Sequence, residues 1–444
     1  MSDFDLLVLG AGSGGVACAR RAASYGAKVA IIEQAEIGGT CVHRGCIPKK
    51  FLLYASHFAH DFSDSRGYGW QVEDPVFNWP ELITNKSNEL RRLEGIYKKL
   101  LTDSGVRIFQ GRGQFKTTNS VEVNSEILSA DKILIATGGW PDMPNIDGIH
   151  LAINSNDVFD LPKKPDRIII IGGGYIACEL ATIFNGLGSK VVQLYRSEMI
   201  LRGFDDEVRN FIYEHMISDG LEIRLKENVV KLSKTTEGIC VFTSTGDKIY
   251  ADEVLFAIGR KPNTLDLDLK CLGIQTNEKG AINVNENSSS SVSNIYAIGD
   301  CTDKLNLTPV AIHEGRCLAE TLFNSNPQLP DYRNVPTAIF TQPEIGVVGL
   351  TEQQARKEYN AIDIFKTSFR PLKHTLTGRE TKVFMKLVVD RESDRVVGCH
   401  MVGDGSSEII QLLGIALQAG ATKKQFDKTM AVHPTTAEEF VTMY

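Results

Sequence analysis

A glycine-rich turn framed by two apolar strands occurs twice in this chain, and no other feature limits its fold so tightly. Phe4 to Leu9 reads as a short strand running into Gly10-Ala11-Gly12-Ser13-Gly14-Gly15. An alanine-rich helix follows to Tyr25, and a second strand, Lys28 to Ile32, ends in Glu33. Gly10 permits the tight turn, Gly12 lets the backbone approach a pyrophosphate, and Gly15 lets the helix close on the strand. The helix N-terminus offers unpaired N–H groups to phosphate, and Glu33 is placed to accept a hydrogen bond from a ribose hydroxyl. A lone glycine triplet is a weak signal, but here both strands and the acid accompany it.

The pattern returns at Arg167 to Ile171, Gly172-Gly173-Gly174-Tyr175-Ile176-Ala177, a helix to Gly188 and the strand Lys190 to Tyr195. Here Arg196 follows the strand in place of an acid, with Arg202 six positions on. Guanidinium groups suit a doubly charged phosphate on the 2′ oxygen, so this half is expected to take NADP rather than NAD. Ser197 and Glu198 lie between the arginines, and a solvated charged turn is the alternative.

Ser290 to Asp300 reads as an apolar strand that delivers Asp300 to a turn. Ile133 to Gly138 and Val254 to Arg260 share that strand-then-glycine form and mark expected crossings between nucleotide-binding units. The last hundred or so residues change character. Val383 to Val389 and Val396 to Val402 read as paired strands around the turn 390–394, and Glu408 to Gln418 has helical apolar spacing. This stretch carries no nucleotide motif, so association is its expected task.

A chain of 444 residues exceeds what one core usually supports, so two to four domains are expected. No run approaches the roughly 18 apolar residues that span a bilayer, and the N-terminal run 1–5 lacks the basic region of a signal peptide, so a cytoplasmic protein is expected. A net charge of −7 argues against nucleic-acid binding. Nine cysteines is an odd number for a disulfide framework, and seven of them, Cys18, Cys178, Cys240, Cys271, Cys301, Cys317 and Cys399, read as ordinary thiols. Cys41 and Cys46 alone share a local motif, Gly-Gly-Thr-Cys-Val-His-Arg-Gly-Cys-Ile-Pro-Lys-Lys, directly after the first nucleotide unit.

These two fingerprints, the two-cysteine segment and the terminal His433-Pro434-Thr435 occur in an order that resembles the flavin-dependent pyridine-nucleotide disulfide oxidoreductases along essentially the whole chain. Within that family the chain is most similar to the glutathione-reducing branch. The resemblance implies an α/β fold: two Rossmann-like dinucleotide-binding domains plus a C-terminal α+β dimerisation domain. The implied division is an FAD-binding domain in two parts, 1–140 and 262–333, an NADPH-binding domain, 141–261, and a dimerisation domain, 334–444.

The resemblance also implies roles. Cys46 would sit against the flavin as a thiolate, and Cys41 would attack the substrate disulfide, the two forming a redox disulfide. A free thiol is mostly protonated at neutral pH, so exchange needs a thiolate and an acid for the departing sulfur. His433 braced by Glu438 matches that acid, reaching the cysteines of the other subunit in a homodimer whose active site is shared. Lys49 and Glu179 match an ion pair beside the flavin's reactive nitrogen, and Tyr175 an aromatic cover that nicotinamide displaces. FAD contacts are expected at Gly10, Gly12, Ser13, Gly14, Gly15, Glu33, Thr40, Cys41, Lys49, Thr137, Gly138, Asp300 and Thr308. NADPH contacts are expected at Gly172, Gly174, Ile176, Ala177, Glu179, Arg196, Arg202, Gly259 and Arg260. Substrate contacts match at Ser13, Ala17, Arg20, Ile96, Tyr97, Arg316 and His433, with the arginines on glycine carboxylates of glutathione disulfide. No metal is expected.

The rival within the family is an NAD-dependent dihydrolipoamide dehydrogenase, a subunit of a 2-oxo acid dehydrogenase complex, which has an acid where Arg196 stands. Outside catalysis, a structural subunit or a flavin-binding redox sensor are the alternatives. Two positions depart from the expected pattern: His43 and Arg44 between the cysteines, in place of an uncharged pair, and Ser290 in place of threonine. The charged pair could lower a thiol pKa, bind an anionic substrate or face away from the flavin.

Overall fold

The computed structural model describes residues 2–73 and 75–444; Met1, at the head of the N-terminal run, lies outside the described residues. Both fingerprints fold as parallel sheets. In the first, strand Phe4–Leu9 lies between Val29–Glu33 and Glu126–Ile135, with Arg107–Gln110 and Ile295–Ala297 outside them. The last of these is the strand predicted to deliver Asp300, and its register pairs Ala297 with Ile135. The predicted helix spans Ser13–Ser24.

Gly10 stands at φ +106°, and a Cβ there would lie 2.4 Å from the Ala136 carbonyl oxygen, so only glycine can make this turn. A Cβ on Gly15 would come within 2.0 Å of the Gly10 oxygen, so the helix seats on the turn only without one. The strand interiors are buried apolar residues on both faces, as a parallel sheet covered by helices requires.

The second unit repeats this plan. Arg167–Ile171 lies between Lys190–Tyr195 and Glu253–Phe256, flanked by Glu222–Leu225 and Ile153–Asn154, all parallel. Each unit adds a three-stranded antiparallel meander: 114–117, 120–123 and the start of 126–135 in the first, Val229–Thr235, Gly238–Thr243 and Lys248–Ala251 in the second. Where the chain leaves the first unit and where it returns, Gly139–Pro141 pairs antiparallel with Arg260–Pro262. The two crossings read from Ile133–Gly138 and Val254–Arg260 therefore meet in one ribbon.

The C-terminal stretch is a five-stranded antiparallel sheet in the order Thr337–Ile339, Ile345–Gly349, Val396–Val402, Val383–Asp390, Ile362–Phe369. Helix Ser406–Gln418 rests on it through Ile410 and Leu417. The expected hairpin and helix are both present. On the outside, Leu412, Ile415, Met430, Val432 and Tyr444 are exposed. Among the described residues no helix is long and apolar enough to cross a membrane.

Candidate active site

A cavity of about 960 Å³ runs from the first glycine turn to the two cysteines. At one end Gly12 begins helix Ser13–Ser24 with no side-chain cap, and an added Cβ there would meet nothing within 4 Å. The helix's first N–H groups therefore face open space, the arrangement that takes a phosphate. Glu33 borders the same end. Its carboxylate already accepts the N–H groups of Ala11 at 2.7 Å and Ala35 at 2.8 Å, which fixes it against the turn. Farther along, the wall includes Thr40, Thr137, Gly138, Asp300 and Thr308. Burial holds the Asp300 carboxyl above its usual range, with Arg260 opposing the shift. Arg260 donates to the Gly139 carbonyl and, at 3.3 Å, to Thr40. An elongated cavity with a bare helix N-terminus at one end and thiols at the other fits an FAD molecule.

The cysteines face each other across a break in the helix. Cys41 lies in the short helix Gly39–His43, Gly45 interrupts it, and Cys46 is the first residue of helix Cys46–Ser65. Both are free thiols. The neighbouring Cys41 thiol, with the Thr308 hydroxyl at 3.5 Å and the Lys49 charge, brings the Cys46 thiol down to about 6. Cys41 is pushed up by Cys46 and by burial. The pair thus shares one proton, with the negative charge on Cys46 at the start of a helix.

Lys49 points at Glu179 from one turn past Cys46, Nζ to Oε1 2.8 Å, and both are largely buried. Glu179 comes from helix Tyr175–Gly186 of the second unit and also accepts the Phe340 N–H at 2.8 Å. Lys49 Nζ and Lys50 Nζ both stand over the Phe340 ring, 3.9 and 4.0 Å from its centroid. Lys50 in turn pairs with Glu344 at 3.2 Å. Tyr175 and Ile176 start the Glu179 helix on the cavity wall, and burial raises the Tyr175 hydroxyl to about 12.

The second glycine turn is built like the first: Gly172 stands at φ +143°, its Cβ position 2.2 Å from the Ala257 carbonyl oxygen, and Ala177 is fully buried behind it. Gly174 caps its helix without a side chain and faces open space. Gly259 directly precedes the ribbon strand that carries Arg260. Arg196 and Arg202 are exposed, and among the described residues neither has an ion-pair or hydrogen-bond partner. The intervening Glu198 is paired with Lys226 at 3.0 Å. The two guanidinium groups are therefore available to a ligand.

Ser13, Ala17 and Arg20 fall on one face of helix Ser13–Ser24, and Arg20 Nε lies 3.4 Å from the Ser104 hydroxyl. Tyr97 is close enough to the thiols that their charges, after burial, raise its hydroxyl. Ile96 and Arg316 are exposed, the arginine without a partner among the described residues. His433 and Glu438 are together, Nδ1 to Oε2 3.0 Å, but the histidine is 79% exposed and does not border the cavity of its own chain.

The charged pair between the cysteines divides. His43 is engaged by the Ile37 carbonyl, Nε2 to O 3.0 Å, whereas Arg44 borders the cavity and pairs with Glu36. Ser290 keeps its hydroxyl on a local turn, bonded to the Val292 N–H at 3.1 Å. Sequence reasoning missed Phe340, Lys50 and Asn263 in the cavity wall. Lys50 stands next to Lys49 in the motif and could have been read from it. Phe340, an aromatic at a strand end, carries no local signal.

The family pattern described as "Pyridine nucleotide-disulphide oxidoreductase" matches residues 4–315, and that of its dimerisation domain matches residues 335–444. Similar curated proteins include glutathione reductase of Burkholderia cepacia, 50% identical over 99% of this chain and 98% of that protein. The chloroplastic/mitochondrial glutathione reductase of Pisum sativum is 47% identical over 99% of this chain and 82% of its own length. A glutathione reductase of Nostoc sp. is 46% identical over 99% of each.

Proposed function

Because the chain belongs to the pyridine nucleotide-disulphide oxidoreductases, we propose that it reduces glutathione disulfide to two glutathiones with NADPH, through FAD and the Cys41–Cys46 pair. The observation that carries this reading is the placement of Cys41 and Cys46 together at the end of the cavity, beside Thr308 and the buried Lys49–Glu179 pair. FAD would supply the two-electron relay between the hydride of NADPH and the Cys41–Cys46 disulfide. Glu33, Thr40, Thr137, Gly138, Asp300 and the helix N-terminus after Gly12 would hold it, with Lys49 and Glu179 at its reactive end. The turn at Gly172 to Ala177, with Arg196 and Arg202, would hold NADPH, and Tyr175 would yield to the nicotinamide.

The thiol steps follow from the charges. Cys41 gives its proton to the histidine acid and attacks one sulfur of glutathione disulfide, forming a mixed disulfide. The departing glutathione sulfur takes that proton back. Cys46, already a thiolate, attacks the Cys41 sulfur, re-forms the intrachain disulfide and releases the second glutathione thiolate, which is protonated from solvent. One NADPH and one proton are consumed per disulfide. Arg20 and Arg316 would take the substrate's carboxylates, with Ser13, Ala17, Ile96 and Tyr97 along its body.

The acid is proposed to be the partner subunit's His433, held by Glu438, in a homodimer with a shared site. The exposure of His433 away from its own cavity and the apolar outer face of the C-terminal sheet domain support this. The division at 1–140, 141–261, 262–333 and 334–444 is proposed with it, supported by the ribbon at 139–141 and 260–262. Nine free thiols suit a reducing compartment, so the proposed location is the cytoplasm.

Anaerobic mixing of the purified protein with NADPH or NADH, followed by glutathione disulfide or lipoamide, tests the reading. NADPH with glutathione disulfide should turn over rapidly. NADH with lipoamide would instead assign the lipoamide dehydrogenase reading, which the free Arg196 disfavours.

A further inference from the structure

In the C-terminal sheet, one lysine is buried outright. Lys386 lies mid-strand in Val383–Asp390, all eight residues of which are buried, and its side chain is 0% exposed. Its ammonium reaches Asp205 at 3.0 and 3.1 Å, Glu352 at 2.7 Å and Glu207 at 2.8 Å. Asp205 and Glu207 belong to the second nucleotide unit, where Asp205 caps helix Asp206–Ser218. Glu352 belongs to the C-terminal unit, and its N–H donates to Asp205 at 3.0 Å. Two neighbouring contacts make the same crossing: Lys366 to Glu207 at 2.5 Å and Gln353 to Asp206 at 2.8 Å. Three consecutive acidic residues are thus fastened to the dimerisation domain.

Burying a lysine with several carboxylates is weak as a source of stability, because desolvation offsets the attraction; what such a cluster can supply is fixed relative position. The segment it fixes runs from Met199 to Asp205. At its start, Arg209 donates to the Ile200 carbonyl at 2.8 Å and the Met199 carbonyl at 3.0 Å. Leu201 donates its N–H to Gly173 of the glycine turn at 2.6 Å. At its end stands Asp205, held by Lys386. Between the two anchors are Arg202, and Gly203 and Phe204, which border the cavity. Only the second anchor comes from outside the nucleotide unit.

We propose that Lys386 is a positioning residue for nucleotide choice: by gripping Asp205 from the dimerisation domain, it holds the 199–205 segment so that Arg202 meets the 2′-phosphate. The inference rests on the reading of Arg202 as a 2′-phosphate ligand. Lys386→Met removes the charge at similar volume and leaves the side chains that would touch the nucleotide chemically unchanged.

The test uses the FAD-loaded protein and calorimetric titration with adenosine 2′,5′-bisphosphate and with 5′-AMP, which needs no turnover. Lys386→Met should weaken the bisphosphate about tenfold and AMP less than twofold, the size of coupling expected between residues in one network. In an Arg202→Ala background the same change should have no further effect on the bisphosphate. A purely structural role would weaken both ligands alike, or would persist without Arg202, and either result overturns the proposal. If Arg202→Ala alone leaves bisphosphate binding unchanged, the reading of Arg202 is what has failed, and the inference falls with it. Should Lys386→Met not fold, Glu207→Gln, whose side chain is partly exposed, weakens the same cluster around Lys386. It should weaken the bisphosphate two- to threefold only while Arg202 is present, and no shift would count against the clamp.

Discussion

The double substitution Arg196→Ala, Arg202→Ala tests the nucleotide reading most directly. Both side chains are exposed and lack protein partners among the described residues, so their removal should move stability by no more than about 0.5 kcal/mol. A 2′-phosphate carries roughly 1.5 to 2 negative charges near neutral pH, by analogy with other phosphate monoesters. At about 4 Å in water each unit pair is worth about 1 kcal/mol, so two guanidinium groups give some 3–4 kcal/mol unscreened. A Debye length of about 10 Å at 0.1 M salt removes around a third, leaving roughly 2–3 kcal/mol, or a thirty- to hundredfold effect. Glu198 should not cancel it, since Lys226 already takes its charge. Steady-state kinetics should therefore give a KM for NADPH raised thirty- to hundredfold, with KM for NADH within about twofold. The parent's preference should shrink as salt rises, while the variant's should not change. An unaltered KM for NADPH, or equal losses with both nucleotides, would refute the reasoning.

Cys46→Ser should abolish disulfide turnover while the protein still purifies yellow; full turnover would dispose of the dithiol scheme. In the reduced protein, Cys46 is lowered to about 6, so its thiolate should be present above that pH and lost on acidification through it, as read by thiolate absorbance. Thr308→Val removes a hydroxyl that favours the anion, and the midpoint should move up; no movement would separate Thr308 from the charge. Glu438→Gln leaves His433 without its carboxylate and should lower glutathione disulfide turnover about 10²-fold or more, with the rate of reduction by NADPH unchanged. Lys49→Met strands the buried Glu179 carboxylate and should cost about 3–5 kcal/mol in denaturant unfolding, recovered in part by adding Glu179→Gln.

What the sequence could disclose is set by how far apart the partners lie along the chain. The turns at Gly10 and Gly172 were legible because strand, glycine and helix follow one another within a few residues, and sterics alone dictate the order. The hairpin at 390–394 was legible for the same reason. The Lys49–Glu179 pair spans 130 positions and came only through family likeness. Phe340, held against Lys49 by a backbone bond to Glu179, has no local pattern to announce it. Lys386 did leave a trace: a cation within Val-Phe-Met-Lys-Leu-Val-Val interrupts a run otherwise fit for burial on both faces. A charge in such a place calls for buried partners, but their identity depends on docking between units that no local pattern describes.

The two nucleotide units show how little of the chain separates one cofactor choice from another. Both have a parallel sheet, a glycine turn with a positive-φ first residue, a bare helix N-terminus and an antiparallel meander. They differ at the end of the second strand, which Glu33 closes in the first unit and which Arg196 directly follows in the second. Glu33 is drawn into its own turn by two backbone N–H groups, which places an acceptor where a ribose hydroxyl would arrive and repels a phosphate there. Arg196 makes no such bond and stands free with Arg202, so that in the proposed reading the pair would meet the phosphate that the first unit would repel. Exchanging these side chains alone should not exchange the preferences. The Glu33 carboxylate is also a fastening of the first turn, so Glu33→Arg should cost flavin binding before it confers anything new. The Arg202 segment, conversely, depends on Asp205 and hence on the C-terminal sheet. On the proposed reading, recognition in the first unit would be local, whereas in the second it would lean on a neighbouring domain.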